Sequence, residues 1–235
     1  MHFRHCLLSA TVGLAILLFS SLGHARDYLI EVVLFETVAG QNLSSGGLYY
    51  PRMQNSLRLG TEDAVAEGFL PVEQNLTLSE NAASIAASSR YRLLRHLSWR
   101  QPGLAADDAK AVRVALGNTI DMYIPADRRQ YTDFYPATAN PTPNNTESIS
   151  TFTLNGTISV RLGRFLHMDT RLVFTDDQTG QSFRLLQTRK MRSRELHYID
   201  NPRFGLLTQI TPLEDKVGTA SGTEDEADEA LAAPE

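Results

Sequence analysis

The chemically capable residues of the chain are concentrated between Arg189 and Leu207. There RKMRSRELHYIDNPRFGLL brings together cations, two carboxylates, a histidine beside a tyrosine, and a turn. If this stretch is extended, Lys190, Arg192 and Arg194 project on one side while Arg189 and Met191 project on the other. A basic stripe of this kind suits an anionic ligand, because arginine can grip a carboxylate through a bidentate fork. Glu195, His197, Tyr198 and Asp200 either complete a site beside the stripe or satisfy one another. Trp99 next to Arg100 is a second candidate, since an exposed indole can cover the apolar face of a sugar ring. A lone tryptophan on an apolar strand face is more often core, so both readings of Trp99 stand. The candidate contact residues are therefore Trp99, Arg100, Lys190, Arg192, Arg194, His197 and Tyr198.

Catalytic signatures are missing from the sequence. It contains no GxSxG, no HExxH and no phosphate-binding glycine loop, and no cysteine is placed to act as a nucleophile. Glu195 and Asp200 could act as a glycosidase acid and base only if held at a set separation across a cleft. Five residues apart around a turn, they fit better as partners of backbone amides or of Arg192 and Arg194. His96, His167 and His197 belong to different segments and lack a ligand spacing, so no metal or cofactor is assigned. Asp176 and Asp177 read as turn residues.

These side chains need a scaffold, and the pattern predicts an α+β fold around a largely antiparallel sheet with short helices. Tyr28 to Phe35, YLIEVVLF, is a buried strand. A short helix is expected near Asp63 to Glu67, and Ser79 precedes a capped Ala-rich helix ending at Ala87. In YRLLRHLSWRQP, strict alternation places Tyr91, Leu93, Leu97 and Trp99 on one face and Leu94, His96, Ser98 and Arg100 on the other. Ala105 to Leu116 is helical or extended, and Pro136 to Ser148 is an exposed loop. Two consecutive hairpins follow: Phe152, Leu154, Ile158, Val160 and Leu162 share a face, then Leu166 to Phe174, then a turn at Asp176 to Gly180 leading into Ser182 to Arg192. Glu195 to Asn201 is expected to form a helical turn, and Phe204 to Ile210 a last strand.

Residues 1–25 read as an export signal. His2, Arg4 and His5 precede an apolar core from Leu7 to Phe19 that is too short to span a bilayer, and Gly23-His24-Ala25 supplies small residues for cleavage. The only cysteine, Cys6, lies inside that signal, so the exported chain would contain no disulfide, which suits a periplasmic protein. Residues 26–213 are read as one domain; they hold twenty lysines and arginines against nineteen acids, so the body is close to neutral. Residues 214–235 carry eight acids and one lysine and are read as a disordered acidic tail. Export and this acidity disfavour nucleic acid as a partner.

Three segments together resemble the CsiV family of periplasmic peptidoglycan-binding proteins. They are YLIEVVLFE, RYRLLRHLSWRQP, and GTISVRLGRFLHMDTRLVF with MRSRELHYIDNPRFGLLTQITP. His96, Trp99, Arg100 and Gln101 carry the middle match; Arg192, Glu195, His197, Tyr198, Asp200 and Pro202 carry the last. The chain departs from that pattern in having Phe165 where a tyrosine is common and Asn201 where a histidine is common. The resemblance implies a non-enzymatic protein that binds cell-wall peptidoglycan and supports wall assembly and envelope integrity. It further implies regulation of a peptidoglycan synthase through a partner, an outer-membrane lipoprotein activator. The alternatives are a peptidoglycan-modifying hydrolase using Glu195 or Asp200, and a structural envelope protein whose basic stripe docks an acidic partner.

Overall fold

The apolar run after Arg26 lacks polar alternation because both of its faces are covered. In the computed structural model, which describes residues 26–38, 47–176 and 179–214, β1 (Asp27–Thr37) is hydrogen-bonded on both edges and every residue from Ile30 to Glu36 is buried. The chain continues through β2 (Leu48–Pro51), β3 (Ser56–Leu57), α1 (Glu62–Ala66), β4 (Leu70–Pro71), α2 (Ser79–Ala86) and β5 (Tyr91–Pro102). It then forms β6 (Ala111–Pro125), β7 (Phe134–Ala137), β8 (Thr146–Leu162), β9 (Leu166–Thr175), β10 (Ser182–Met191), β11 (His197–Asp200) and β12 (Phe204–Pro212). The expected export signal and residues 215–235 of the expected acidic tail lie outside the described residues.

The strands form two five-stranded sheets, ordered β11-β12-β1-β5-β4 and β10-β9-β8-β6-β3, together with the small pair β2-β7. Every pairing is antiparallel except β3 with β6. The expectation of a largely antiparallel fold with short helices holds, and the strands are divided between two layers. One core joins them: Ile30, Val32, Leu34 and Trp99 of the first sheet pack with Val114, Ile158, Met168 and Leu172 of the second. The other face of β1 turns Val33 and Phe35 toward Leu78, Ala82 and Ile85 around α2.

Three local expectations are corrected. Pairing between β1 and β5 shifts register between Leu34 and Phe35, so Leu34 faces Arg95 and Phe35 faces Leu93. That bulge sends Tyr91 and Leu93 to the α2 side, whereas Leu97 and Trp99 stay with the inter-sheet core, so strict alternation fails within one strand. The helical turn expected over 195–201 is instead strand β11, paired with β12 through His197↔Thr208 and Ile199↔Leu206, because full burial of Ile199 rewards a period of two. The unpatterned loop expected over 136–148 is strand at both ends, since β7 runs to Ala137 and β8 begins at Thr146.

The helix at 79–86 forms, but Ser79 is not its cap. Ser79 Oγ donates to the Leu76 carbonyl, and the backbone amides of Thr77 and Leu78 instead donate to Glu31 of β1, at 2.9 and 3.0 Å. A fully buried strand carboxylate thus satisfies the open amides ahead of a helix that supplies no side-chain cap of its own. The His96 imidazole lies 3.4 Å from the same carboxylate.

Candidate functional site

The edge strand β10 positions the cations of interest. Leu185 and Met191 point into the inter-sheet core, so the alternate residues Arg184, Leu186, Thr188 and Lys190 share the outer face of the second sheet. The strand ends at Met191, and Arg192 and Arg194 belong to the following turn. The stripe expected from Lys190 through Arg194 is therefore not a continuous strand face. The outer row starts earlier, at Arg184, and runs roughly 20 Å to Lys190 at strand rise.

At its far end Lys190 sits over Phe165, with the ammonium 3.2 Å from the ring centroid, and Arg164 approaches the same ring at 5.5 Å. Phe165 is 42% exposed, so the two cations flank a ring at the surface. In the adjoining turn Arg192 lies 3.8 Å from Glu195, an exposed i,i+3 pair. Arg194 adopts a left-handed backbone (φ 62°), fixed by its amide donating to the Ile210 carbonyl at 2.8 Å, and its guanidinium has no ion-pair partner among the described residues. His197 Nε2 accepts from the Arg192 amide at 3.3 Å, which ties the turn back onto β11. The turn therefore presents Arg194, while Arg192 and His197 help to shape it.

Tyr198 stacks on Phe35 at 6.0 Å and donates its hydroxyl to Asp200 at 2.9 Å. Its ring is 45% exposed. Its hydroxyl is nevertheless pushed up to about 12, first by partial burial, then by the hydrogen bond to Asp200 and by the charge of that carboxylate. Both carboxylates of the segment are thus engaged, Glu195 by Arg192 and Asp200 by Tyr198.

Trp99 and Arg100 are not brought to this corner, because β1 and β12 separate β5 from β11. Trp99 is 0% exposed and donates its indole N–H to Gln101 Oε1 at 2.9 Å, so its ring is core and presents no face to a ligand. Arg100 is exposed but its Nε donates to Asp27 at 2.6 Å. The three histidines are also dispersed: His96 faces Glu31, and His167 Nδ1 lies 3.1 Å from the Phe165 carbonyl oxygen. Among the described residues no group of three or more His, Cys, Asp or Glu could hold a metal ion.

Sequence reasoning missed the near end of the β10 row. The β2-β7 pair lies against β8, β9 and β10, tied by the Tyr49 amide donating to Ser182 Oγ at 3.4 Å. This places the Arg184 guanidinium 3.9 Å from the Tyr49 ring centroid and 5.8 Å from that of Phe134. Arg171 of β9 pairs with Asp133 at 2.8 Å, and an open cleft of about 500 Å³ lies between Tyr131, Phe134, Arg184 and Leu186. The tyrosines of YYP and the FYPA segment were the only available signal, and their short strands lack a periodic run.

The row along β10 is thus a polar sheet face with cations held over aromatic rings at each end. Between them, the Thr188 hydroxyl donates to Asp169, which also accepts from Arg161 Nε at 3.0 Å. Such a face can bind carboxylates and carbohydrate hydroxyls without attracting polyanions in general, because its central charges are internally matched. No helix among the described residues is long and apolar enough to cross a membrane. Neither a curated protein nor a solved structure matches the chain. A family profile described as "Peptidoglycan-binding protein, CsiV" matches residues 7–213, which is most of the chain. The chain belongs to the CsiV family of peptidoglycan-binding proteins.

Proposed function

We propose that this chain is a non-enzymatic periplasmic protein of residues 26–213 plus an acidic tail, and that it contacts peptidoglycan through the outer face of β10 and the turn after it. In this reading Lys190 and Arg194 make the charged contacts, Phe165 offers ring surface, and Arg192, His197 and Tyr198 hold the turn in place. Wall binding supports wall assembly and envelope integrity, with an outer-membrane lipoprotein activator of a peptidoglycan synthase as the protein partner. The observation that carries the reading is that, among the described residues, neither Lys190, seated over the Phe165 ring, nor Arg194 in the left-handed turn has an ion-pair partner. Repulsion between such cations is relieved when an anionic ligand arrives. The engagement of Glu195 and Asp200 with their neighbours favours recognition over hydrolysis at this turn.

Co-sedimentation with purified sacculi at several ionic strengths tests the assignment. The wild-type chain is expected to sediment with sacculi, and a Lys190→Ala/Arg194→Ala variant is expected to lose about tenfold in affinity, most clearly at low salt. Undiminished binding by the double variant would remove this corner from the contact surface. Release of soluble muropeptides that disappears on Glu195→Gln would instead establish an enzyme.

A further inference from the structure

The near end of the β10 row has an arrangement that wall binding in general does not explain. Arg184 is an exposed arginine with no carboxylate partner among the described residues, yet it is not loose. Its guanidinium lies over the Tyr49 ring at 3.9 Å and near Phe134, and its backbone carbonyl accepts from Asn201 Nδ2 at 3.2 Å. Contact with a ring face leaves the in-plane N–H groups of a guanidinium available, and it fixes their direction before any ligand arrives. The nearby acid, Asp133, is already matched by Arg171 at 2.8 Å, so it does not cancel the charge of Arg184. Next to the guanidinium, Leu186 places an apolar side chain, 52% exposed, at the edge of the same 500 Å³ cleft. That volume falls within the range of small-ligand sites.

We infer that this cleft is a subsite for the terminal carboxylate of a short peptide bearing a small apolar side chain. Resting on the reading of the chain as a wall-binding protein, the inference assigns the cleft to the peptide stem of peptidoglycan, whereas Lys190 and Phe165 lie at the other end of the row. A sugar fits the near end less well. The Tyr49 ring, which would otherwise stack on a pyranose, is covered by Arg184, and what remains is a fixed fork of N–H donors beside methyl groups. A carboxylate takes both lines of the fork through two parallel charge-assisted hydrogen bonds. The adjacent methyl of an alanine-type residue lies against Leu186, and the outer face of β10 then carries the rest of the ligand toward Thr188 and Lys190. Arg184 acts here as a binding residue, and Tyr49 acts through it as a positioning residue.

The test uses the full exported chain and two probes, N-acetyl-D-alanyl-D-alanine as the free acid and as its C-terminal amide, titrated by NMR. The free acid is expected to shift the resonances of Tyr49 and Leu186, and the amide to bind about tenfold more weakly, as loss of one charge-assisted fork implies. Arg184→Ala is expected to bring the free acid down to the amide's affinity. Arg184→Lys keeps the charge without the fork and is expected to recover only part of the difference. Equal binding of acid and amide by the folded wild-type chain, no binding of either, or undiminished acid binding by Arg184→Ala would overturn the subsite. Sedimentation with sacculi is read in parallel: retention there with no acid preference removes the subsite alone, whereas failure of the wild type to sediment removes the wall-binding reading beneath it.

Discussion

Arg203 and Arg184 both lie near phenyl or phenol rings, yet their surroundings give them opposite roles. Arg203 is 5.8 Å from the Phe174 ring, and its Nη2 is also 3.0 Å from Glu36 and 2.7 Å from Asp176. Arg92 joins the same group by donating from Nε to Glu36 at 2.7 Å. This network lines a cleft of about 530 Å³ beside Phe174, so a cavity and two arginines are present, but their charges face carboxylates of the chain itself. Arg184 faces rings and, among the described residues, no carboxylate. Residue type and even the presence of a cleft are therefore poor guides to recognition. What separates architecture from an available site is whether the charge has already found its counter-charge.

The comparison breaks first on stability. Glu36 is buried and holds two arginines, so Glu36→Ala leaves Arg203 and Arg92 without their shared partner and is expected to destabilise the chain by roughly 2–4 kcal/mol. Chemical denaturation read by tryptophan fluorescence measures this directly, because Trp99 is the only tryptophan. The Lys190→Ala/Arg194→Ala variant, assayed in the same way, is expected to stay within about 1 kcal/mol of wild type. If the double variant lost as much stability as Glu36→Ala, the β10 cations would be structural and the distinction between the two regions would collapse.

The two regions also differ in how far they could be read from the sequence. Local pattern was enough for β1 and the β8-β9-β10 meander, because burial on one or both faces writes a period directly into neighbouring residues. It failed where the deciding partner is remote. The bulge opposite Leu34 reversed the facing of Tyr91 and Leu93, and the amides just ahead of α2 are held by Glu31, far upstream on β1. In HYID the alternation was present, but Glu195 and Pro202 on either side suggested a turn, and only pairing with β12 makes it strand. For the site, the basic character of residues 189–194 was legible. The departure of Arg192 and Arg194 from the strand face was not, and neither was the seating of Arg184 on Tyr49, which depends on where the β2-β7 pair docks.

A finer test separates presentation from stability at a single residue. Arg194 holds φ 62°, a conformation in which a residue with a Cβ is strained and glycine is not. Arg194→Gly is expected to raise stability by about 0.5–1 kcal/mol, which at this chain length corresponds to a rise in Tm of a few degrees. Sacculus binding should fall at the same time, because the side chain is gone while the turn is kept. Opposite movements of these two readouts mark a residue retained for contact. A loss of stability would show that the guanidinium is needed for the turn itself.

The smallest effect concerns Tyr198, which stands between the two cases, half-exposed yet bonded to Asp200. Its hydroxyl is pushed up to about 12 from an ordinary value near 10, by partial burial first and by the Asp200 carboxylate second. Between those two values the unfolded chain releases the proton while the folded chain keeps it, so this residue's contribution is intact below about pH 10 and is lost as the pH rises through about 12. Comparing the alkaline stability profiles of the wild-type chain and Tyr198→Phe isolates that slope from the other titrating groups. The variant should lack the wild-type decline in this window while matching it in shape at neutral pH. Parallel profiles across the window would mean that Asp200 does not hold the hydroxyl, which would place Tyr198 with the available residues of the turn and leave Asp200 open to a ligand.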